Sequence, residues 1–510
     1  MGSDGSGTAT ARSATPPTTH GEITDQGVQQ ALPALPGIIE KYMAATEVPG
    51  VAVALIYQGS VLYQQGFGQR QVGREGPNDV SDDTVFQLAS VSKSISSTVI
   101  ASVLSQPDRF PGLSWNDAVH ALCPDFTLAD PWVGSHVTVA DLLAHRSGLP
   151  DHAGDLLEDL GYTGAQIIAK LREYPLHRFR DNYDYTNYGF TAGAEAIAAA
   201  TGRSWQELAS ELVFQRLGMH ESSFTFADLQ SRGNRAALHR MVDGRWVPDL
   251  GADNDGQAPA GGASASVRDV ATWLTMLLDQ GLHQGVRIID VAHLQRIWLP
   301  GNVMKGLPSI GGRANFYGLG WNVGYEDTGE LRLGHSGAFG RGAATAITMF
   351  PSKGLAMVAL TNGHPVGLPE AIQVEFLDLV RYGESTQKDW LAFFAPYFIP
   401  PPTPDQEKYS EPATGAEPAR RLDWYVGTYT NSPYGDLTVS LVDGALSFSL
   451  GPDREHFELL HHSGDEFYFT TTGENATGFS GAIFRDASPQ GTSLTIGAWD
   501  ADGLGTFVRR

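Results

Sequence analysis

Three short groups of residues carry the chemistry this sequence could perform. Ser90 and Lys93 stand three apart in Phe86-Gln87-Leu88-Ala89-Ser90-Val91-Ser92-Lys93-Ser94-Ile95-Ser96, which reads as a loop running into a helix. Residues at that spacing on a helix share a face, about 5–6 Å between β-carbons, so the amine can touch the hydroxyl. Serine becomes a nucleophile when a base takes its proton, and lysine is such a base only if burial or nearby positive charge keeps it neutral. The unpaired N–H groups at the helix amino end would also stabilise negative charge on a carbonyl oxygen. The plainer alternative is a serine cap followed by a solvated lysine, and the same spacing recurs at Ser385 and Lys388.

The second group, Tyr185-Thr186-Asn187, lies in the aromatic polar stretch Asp181 to Gly189. If that stretch is extended, Tyr185 and Asn187 point the same way. A phenol could pass a proton between Ser90 and a leaving group, and the amide could hold a substrate carbonyl or the lysine amine. The third group is His335-Ser336-Gly337, followed by Ala338, at the end of a β-rich run. A strand edge here would hydrogen-bond an extended substrate. Gly337 would permit close backbone approach, the N–H of Ala338 would complete an oxyanion hole, and His335 would tune or relay a proton.

These groups need elements to hold them. Val91, Ile95, Val99 and Val103 predict a helix with an apolar stripe directly after Ser90. A first helix is expected from Pro36 to Ala45, ending before Val48-Pro49-Gly50, and a hairpin from Val51–Tyr57 and Val61–Gln65. From Trp115 to about Gln230 the pattern is mostly helical, with segments at Val139–Ala144, Ala165–Glu173, Gly193–Thr201 and Trp205–Leu217, and another amphipathic helix spans Val267–Asp279. Strand-like sequence returns at Gly318–Val323, Leu331–His335, Ala343–Phe350 and Leu355–Thr361, with turns at Gly337–Gly342 and Pro351–Gly354 and a helix at Pro369–Tyr382. Strands from both ends around a helical block define an α+β fold, an antiparallel sheet flanked by helices with an all-helical insertion. Residues 391–420, including Pro400-Pro401-Pro402, read as a semi-rigid linker, and Trp424–Arg510 as a small all-β antiparallel barrel. The expected organisation is a disordered tail at 1–22, a catalytic domain at 23–386, a proline-rich linker at 387–421 and a barrel at 422–510.

The 510 residues carry 34 basic against 57 acidic groups, a net charge of −23. Such a field repels phosphate backbones and anionic membrane surfaces, which excludes nucleic acid as an expected partner. Cys123 is the only cysteine, so neither an intrachain disulfide nor a cysteine-based zinc cluster can form, and the residue reads as core. Residues 1–21 hold no apolar run that could serve as signal peptide or membrane span. No H-E-x-x-H motif is present, His461-His462 lacks carboxylate-rich surroundings, and G-x-S-x-G is absent at Gly334-His335-Ser336-Gly337. Neither metal nor cofactor is expected. Asn475-Ala476-Thr477 is a glycosylation sequon, meaningful only in a eukaryotic secretory setting.

Together, and in the order 90, 185, 335, the three groups resemble the motifs of the serine β-lactamase and penicillin-binding protein superfamily, in particular its class C-like branch of D-aminopeptidases, D,D-peptidases and esterases. Val48-Pro49-Gly50-Val51-Ala52-Val53, Leu142 to Pro150, Pro259-Ala260-Gly261-Gly262 and Tyr317-Gly318-Leu319-Gly320-Trp321 extend the resemblance over roughly residues 35–380. A second ordered trio at Ser385, Tyr429 and His462 straddles the proline-rich stretch, leaves no room for a helical insertion and is read as coincidence.

The resemblance implies that Ser90 attacks a carbonyl to form an acyl-enzyme, that Lys93 and Tyr185 act as coupled base and proton relay, and that Asn187 orients the substrate. His335 takes the place many β-lactamases give to a lysine, which favours the peptidase and esterase branches over antibiotic hydrolysis. The implied activity is cleavage of amide bonds in small peptides, D-residue-containing ones within its range. A carboxylesterase, a β-lactamase, a D,D-carboxypeptidase, an acyl transferase or cyclase, and a penicillin-binding module with little turnover stand as alternatives. The C-terminal part resembles the lipocalin-like domains of some D-aminopeptidase-like hydrolases, where closure over the site, self-association into a homo-oligomer and a passive barrel all stay open. Periplasmic or secreted placement is what the family implies.

Overall fold

The computed structural model describes residues 21–249, 251–304, 313–398, 401–486 and 491–510. The expected tail thus lies almost wholly outside the described residues, as does Pro400. An eight-stranded antiparallel sheet forms the frame: β1 (Gly50–Tyr57), β2 (Ser60–Gly68), β3 (Asn302–Val303), β4 (Phe316–Tyr317), β5 (Asn322–Tyr325), β6 (Leu331–Phe339), β7 (Ala343–Phe350) and β8 (Leu355–Thr361), in the order β2-β1-β8-β7-β6-β5-β4-β3. All eight residues of β1 are buried. Because side chains alternate, Val51, Val53 and Leu55 pack with Ile38, Ile39 and Phe376 on one face, while Ala52, Ala54 and Ile56 join the core under the helical layer on the other. The first layer is built from helices α1 (Leu35–Thr46) and, at the end of the domain, Leu368–Tyr382; the second holds α2 (Val91–Leu104), α3 (Asp155–Glu158), α4 (Asn187–Thr201) and α5 (Val267–Leu278).

Helix α2 buries its expected stripe together with every other face: all fourteen of its residues are buried. Its hydroxyls are absorbed locally, Ser94 donating to Gly320 O, Ser96 to Pro259 O, Ser102 to Ile288 O and Thr98 to Ser94 O. Gly318–Val323 is a turn between two strands and not one strand, because Gly320 takes φ +80° and lies where a β-carbon would press on Lys93 O. Strand β6 runs on through Gly337 and Ala338 to Phe339, paired in register with β7 (Gly337 opposite Thr345), so the turn is confined to 340–342. Helix α4 begins at Asn187, six residues earlier than its apolar pattern suggested, and Tyr185 and Asn187 therefore do not share an extended strand.

The stretch expected as linker contains two helices, Trp390–Phe398 and Pro404–Tyr409, the second starting with proline under a Thr403 cap. From Gly427–Asn431 to Thr506–Arg509, eight antiparallel strands close into a barrel, Tyr429 pairing with Arg509 across the seam. Its interior is filled by rings, among them Phe448, Phe457, Phe469 and Trp499 with centroids 4.9–6.2 Å apart. The coincidental trio is accounted for locally, since Tyr429 donates to Tyr425 O inside the barrel and Ser385 to Gln387 O. Cys123 is half-buried at the edge of the core. No described helix is long and apolar enough to cross a membrane.

Candidate active site

Ser90 occupies the cap position of α2 with helical backbone angles, and its side chain makes no capping bond. The hydroxyl is therefore available. The residue before it, Ala89, is fully buried at φ +46°, a left-handed conformation that costs a non-glycine residue about 1–2 kcal/mol. Gly337 of β6 lies directly alongside: a β-carbon there would sit 2.9 Å from Ser90 N and closer still to Leu88 O and Thr345 Oγ1. Thr345 Oγ1 in turn donates to Leu88 O at 2.8 Å, fastening the sheet to the loop that presents Ser90.

Lys93 has no exposed surface, whereas Ser90 is only half-buried. Burial pulls the amine down to about 7, against the opposing pull of Asp155. Its three polar contacts are Asn187 Oδ1 at 2.7 Å, Ala260 O at 3.0 Å and Ser90 Oγ at 3.1 Å. A neutral amine has two hydrogens and one lone pair. Carbonyl oxygens can only accept, so they take both hydrogens, and the lone pair is left facing the serine hydroxyl. From the other side Tyr185 OH donates to Ser90 Oγ at 2.7 Å. Burial holds that phenol well above its ordinary range, so it remains a proton donor at neutral pH.

Asn187 is oriented in turn: its Nδ2 donates to Asp155 Oδ2 at 2.8 Å, and the same oxygen meets His152 Nδ1 at 2.8 Å. Asp155 is 3% exposed. Sequence reasoning missed this residue, because an aspartate in Asp151-His152-Ala153-Gly154-Asp155 looks like turn chemistry. It also missed an aromatic layer. His145, at φ +53°, accepts the Thr186 N–H on Nδ1 at 3.2 Å and lies between the rings of Tyr185 (4.4 Å) and Tyr317 (4.8 Å). Both His145 and Tyr317 fall inside stretches that carry the family resemblance, which was the available signal.

His335 is 6% exposed and hydrogen-bonds to Tyr317 and Ser336 and not to Ser90 or Lys93. Its Nδ1 faces Ser336 O at 2.7 Å and must carry the hydrogen, so Nε2 accepts from Tyr317 OH at 2.8 Å. Burial, with Lys93 nearby, pulls its ring down to about 3. The ring is thus held neutral near pH 7, fixed between Ser336 O and Tyr317 OH. From His335 to Phe339 that strand has a partner only on its β7 side among the described residues, β5 ending opposite Gly334. Ala338 is exposed on this open edge. No group of three metal-ligating side chains occurs among the described residues.

A mixed sheet-and-helix domain with a buried lysine behind a serine at a helix mouth, followed by a closed barrel, defines the class. The family described as Beta-lactamase matches residues 35–378, and the chain belongs to it; members of this family are serine hydrolases. A second family, described as a domain of unknown function (DUF3471), matches residues 411–503, which take in most of the barrel. An unguisins hydrolase of Aspergillus campestris (strain IBT 28561) is 26% identical over 335 residues, 64% of this chain and 60% of that protein, so this chain spans less than two thirds of it. Penicillin-binding protein 4 of Amycolatopsis lactamdurans is 27% identical over 62% of this chain and 81% of its own length. The octameric penicillin-binding protein homologue from Pyrococcus abyssi has the same fold, with a TM-score of 0.60 at 21% identity over 91% of this chain and 98% of its own.

Proposed function

We propose that this chain is a serine hydrolase that forms an acyl-enzyme on Ser90 and cleaves amide bonds of small peptides, D-residue-containing ones included, with activated esters as further substrates. The observation that carries the reading is the hydroxyl of Ser90 held between a fully buried lysine at 3.1 Å and a phenol at 2.7 Å. In acylation Ser90 Oγ bonds to the carbonyl carbon as its proton passes to Lys93. The tetrahedral oxyanion rests against the N–H groups of Ser90 and Ala338. As the C–N bond breaks, Tyr185 gives its proton to the leaving amine and recovers one from Lys93. Water then repeats the sequence in reverse on the ester, releasing the acid. The Aspergillus campestris relative named as an unguisins hydrolase supports hydrolysis, and a neutral histidine at 335 in place of a lysine supports a peptide over an antibiotic substrate.

The similarity to a penicillin-binding protein favours a second reading, a module that acylates once and turns over slowly. A panel of D- and L-amino-acid amides, short peptides, p-nitrophenyl esters and a cephalosporin, assayed beside Ser90→Ala, separates them. A hydrolase gives sustained turnover, and a binder one equivalent of burst. Mass spectrometry of a covalent serine probe is expected to place the adduct on residue 90. Activity above about a thousandth of wild type in Ser90→Ala would point to another nucleophile and overturn the assignment.

A further inference from the structure

A short loop of the barrel, Thr471 to Gly478 between its strands Glu466–Thr470 and Phe479–Asp486, reaches the candidate site. Two carboxylates are exchanged there. Glu474 of the barrel accepts from the backbone N–H groups of Gly340 and Arg341, gripping the turn that follows Ala338 on β6. Asp159 of the helical layer accepts from the N–H groups of Glu474 (2.8 Å) and Asn475 (3.0 Å) and from Asn475 Nδ2 (3.0 Å). Asn475 Nδ2 also reaches Asp155 O at 3.1 Å, at the start of α3. The approach is close enough to demand glycine at 473, which has φ +100° and packs against the Asp159 carboxyl.

Each arm ends on a different half of the candidate centre. Through Asp155 the loop touches the chain that holds Asn187 and hence Lys93; through Gly340 and Arg341 it touches the strand that offers Gly337 and Ala338 to the substrate. We propose that the Gly473–Asn475 loop is an interdomain latch, with Glu474 and Asn475 as positioning residues that fix the gap between the Asp155–Asn187–Lys93 arm and the Gly337–Ala338 edge. The rigid, ring-filled barrel is then a working part of the catalytic unit. A positional error of about 1 Å between base and oxyanion donors is costly, because both act only at short range and in fixed directions. The sequon asparagine at 475 is committed to this latch by both hydrogens of its amide, so a glycan on Nδ2 would open it.

The inference rests on the catalytic reading of Ser90, and the two are tested apart. In the full chain, Glu474→Ala and Asn475→Asp, the latter setting a charge against Asp159, are expected to slow Ser90 labelling by a covalent serine probe and to lower kcat by about tenfold, with KM changed less than twofold. Glu474→Gln, whose amide oxygen still accepts one N–H, is expected to recover part of the rate. Backbone hydrogen exchange should rise at residues 337–343 and 155–160 in the first two variants, while Glu458→Gln on an exposed barrel strand changes nothing. Rates within twofold of wild type in both latch variants, or equal losses in Glu458→Gln, would overturn the latch. If the wild-type adduct maps elsewhere than Ser90, the catalytic reading falls instead, and the exchange data alone judge whether the loop couples the two halves.

Discussion

Removing the Asp155 charge without changing its shape tests how the candidate base is kept neutral. Asp155 opposes burial by favouring the Lys93 ammonium, so Asp155→Asn should lower the lysine pKa from its value of about 7. Lys93 Nζ lies 2.7 Å from Asn187 Oδ1, and Asn187 Nδ2 lies 2.8 Å from Asp155 Oδ2. With the amide between them, the charges stand roughly 6 Å apart, and at an effective dielectric near 20 their attraction is about 3 kcal/mol, or about 2 pH units. Water at the half-buried mouth reduces this to about 1–2 units. The free amine is the active form, so kcat/KM rises with pH through the lysine pKa. Its acid limb should therefore sit near 7 in wild type and move down by about 1–2 units in the variant. His152, whose ring Asp155 holds above its ordinary value, loses that support in the variant, and the loss of its positive charge near Lys93 works against the shift, which favours the lower figure. Profiles of kcat/KM for a p-nitrophenyl ester from about pH 4.5 to 9.5 read the shift. A limb that stays in place, or moves up, would show that the titrating group is not Lys93 or that Asp155 does not act on it.

Two further outcomes follow from the packing. Gly337→Ala drives a methyl into Leu88 O, Thr345 Oγ1 and Ser90 N, so acylation should fall at least a hundredfold with a lower melting temperature, both read on the purified variant beside Gly337→Ser as a harsher control. Lys93→Met should abolish acylation yet stabilise the fold by about 2 kcal/mol near pH 7, because depressing the amine from 10.5 to about 7 costs up to about 5 kcal/mol, partly offset by the two carbonyls left unpaired. The unfolded chain binds the extra proton between those two values, so wild type gains on the variant as pH rises from about 7 toward 10.5, by at most about 1.4 kcal/mol per unit. Denaturation midpoints at pH 7 and 9 check the sign; a gap that widens with pH would refute it.

The legible parts of this chain are those governed by local pattern. The hairpin at β1 and β2, the paired strands β7 and β8 and the helix Val267–Leu278 follow from period and turn residues and are found within a few positions of their expected bounds. The misread parts are those where a tertiary contact sets the backbone. Gly318–Val323 has the composition of a strand, yet Gly320 must turn so that the chain can pass over Lys93 O. Helix α4 starts before the run that marked it because its first turn, Asn187-Tyr188-Gly189-Phe190, sets one polar residue, held by Lys93 and Asp155, beside buried rings and a glycine, a mixture that reads as an aromatic loop. Asp155 shows only a local contact with His152 that reads as turn chemistry, since the partner that ties it to the site, Asn187, stands 32 residues away.

Helix α2 is buried well beyond its predicted stripe, for a reason that connects fold to chemistry. A lysine becomes a base near neutral pH only if water is kept from it, and a helix with one solvated face keeps water from only part of its circumference. Covering the remaining face requires neighbours, and the positions that would ordinarily be polar and exposed become serines and threonines, small enough to pack and able to satisfy themselves on nearby carbonyls. Ser94, Ser96, Ser97, Thr98 and Ser102 are thus the sequence trace of a helix drawn into the centre of the domain. Charged residues at those positions would have built a more ordinary amphipathic helix, and the amine beside Ser90 would have stayed an ammonium.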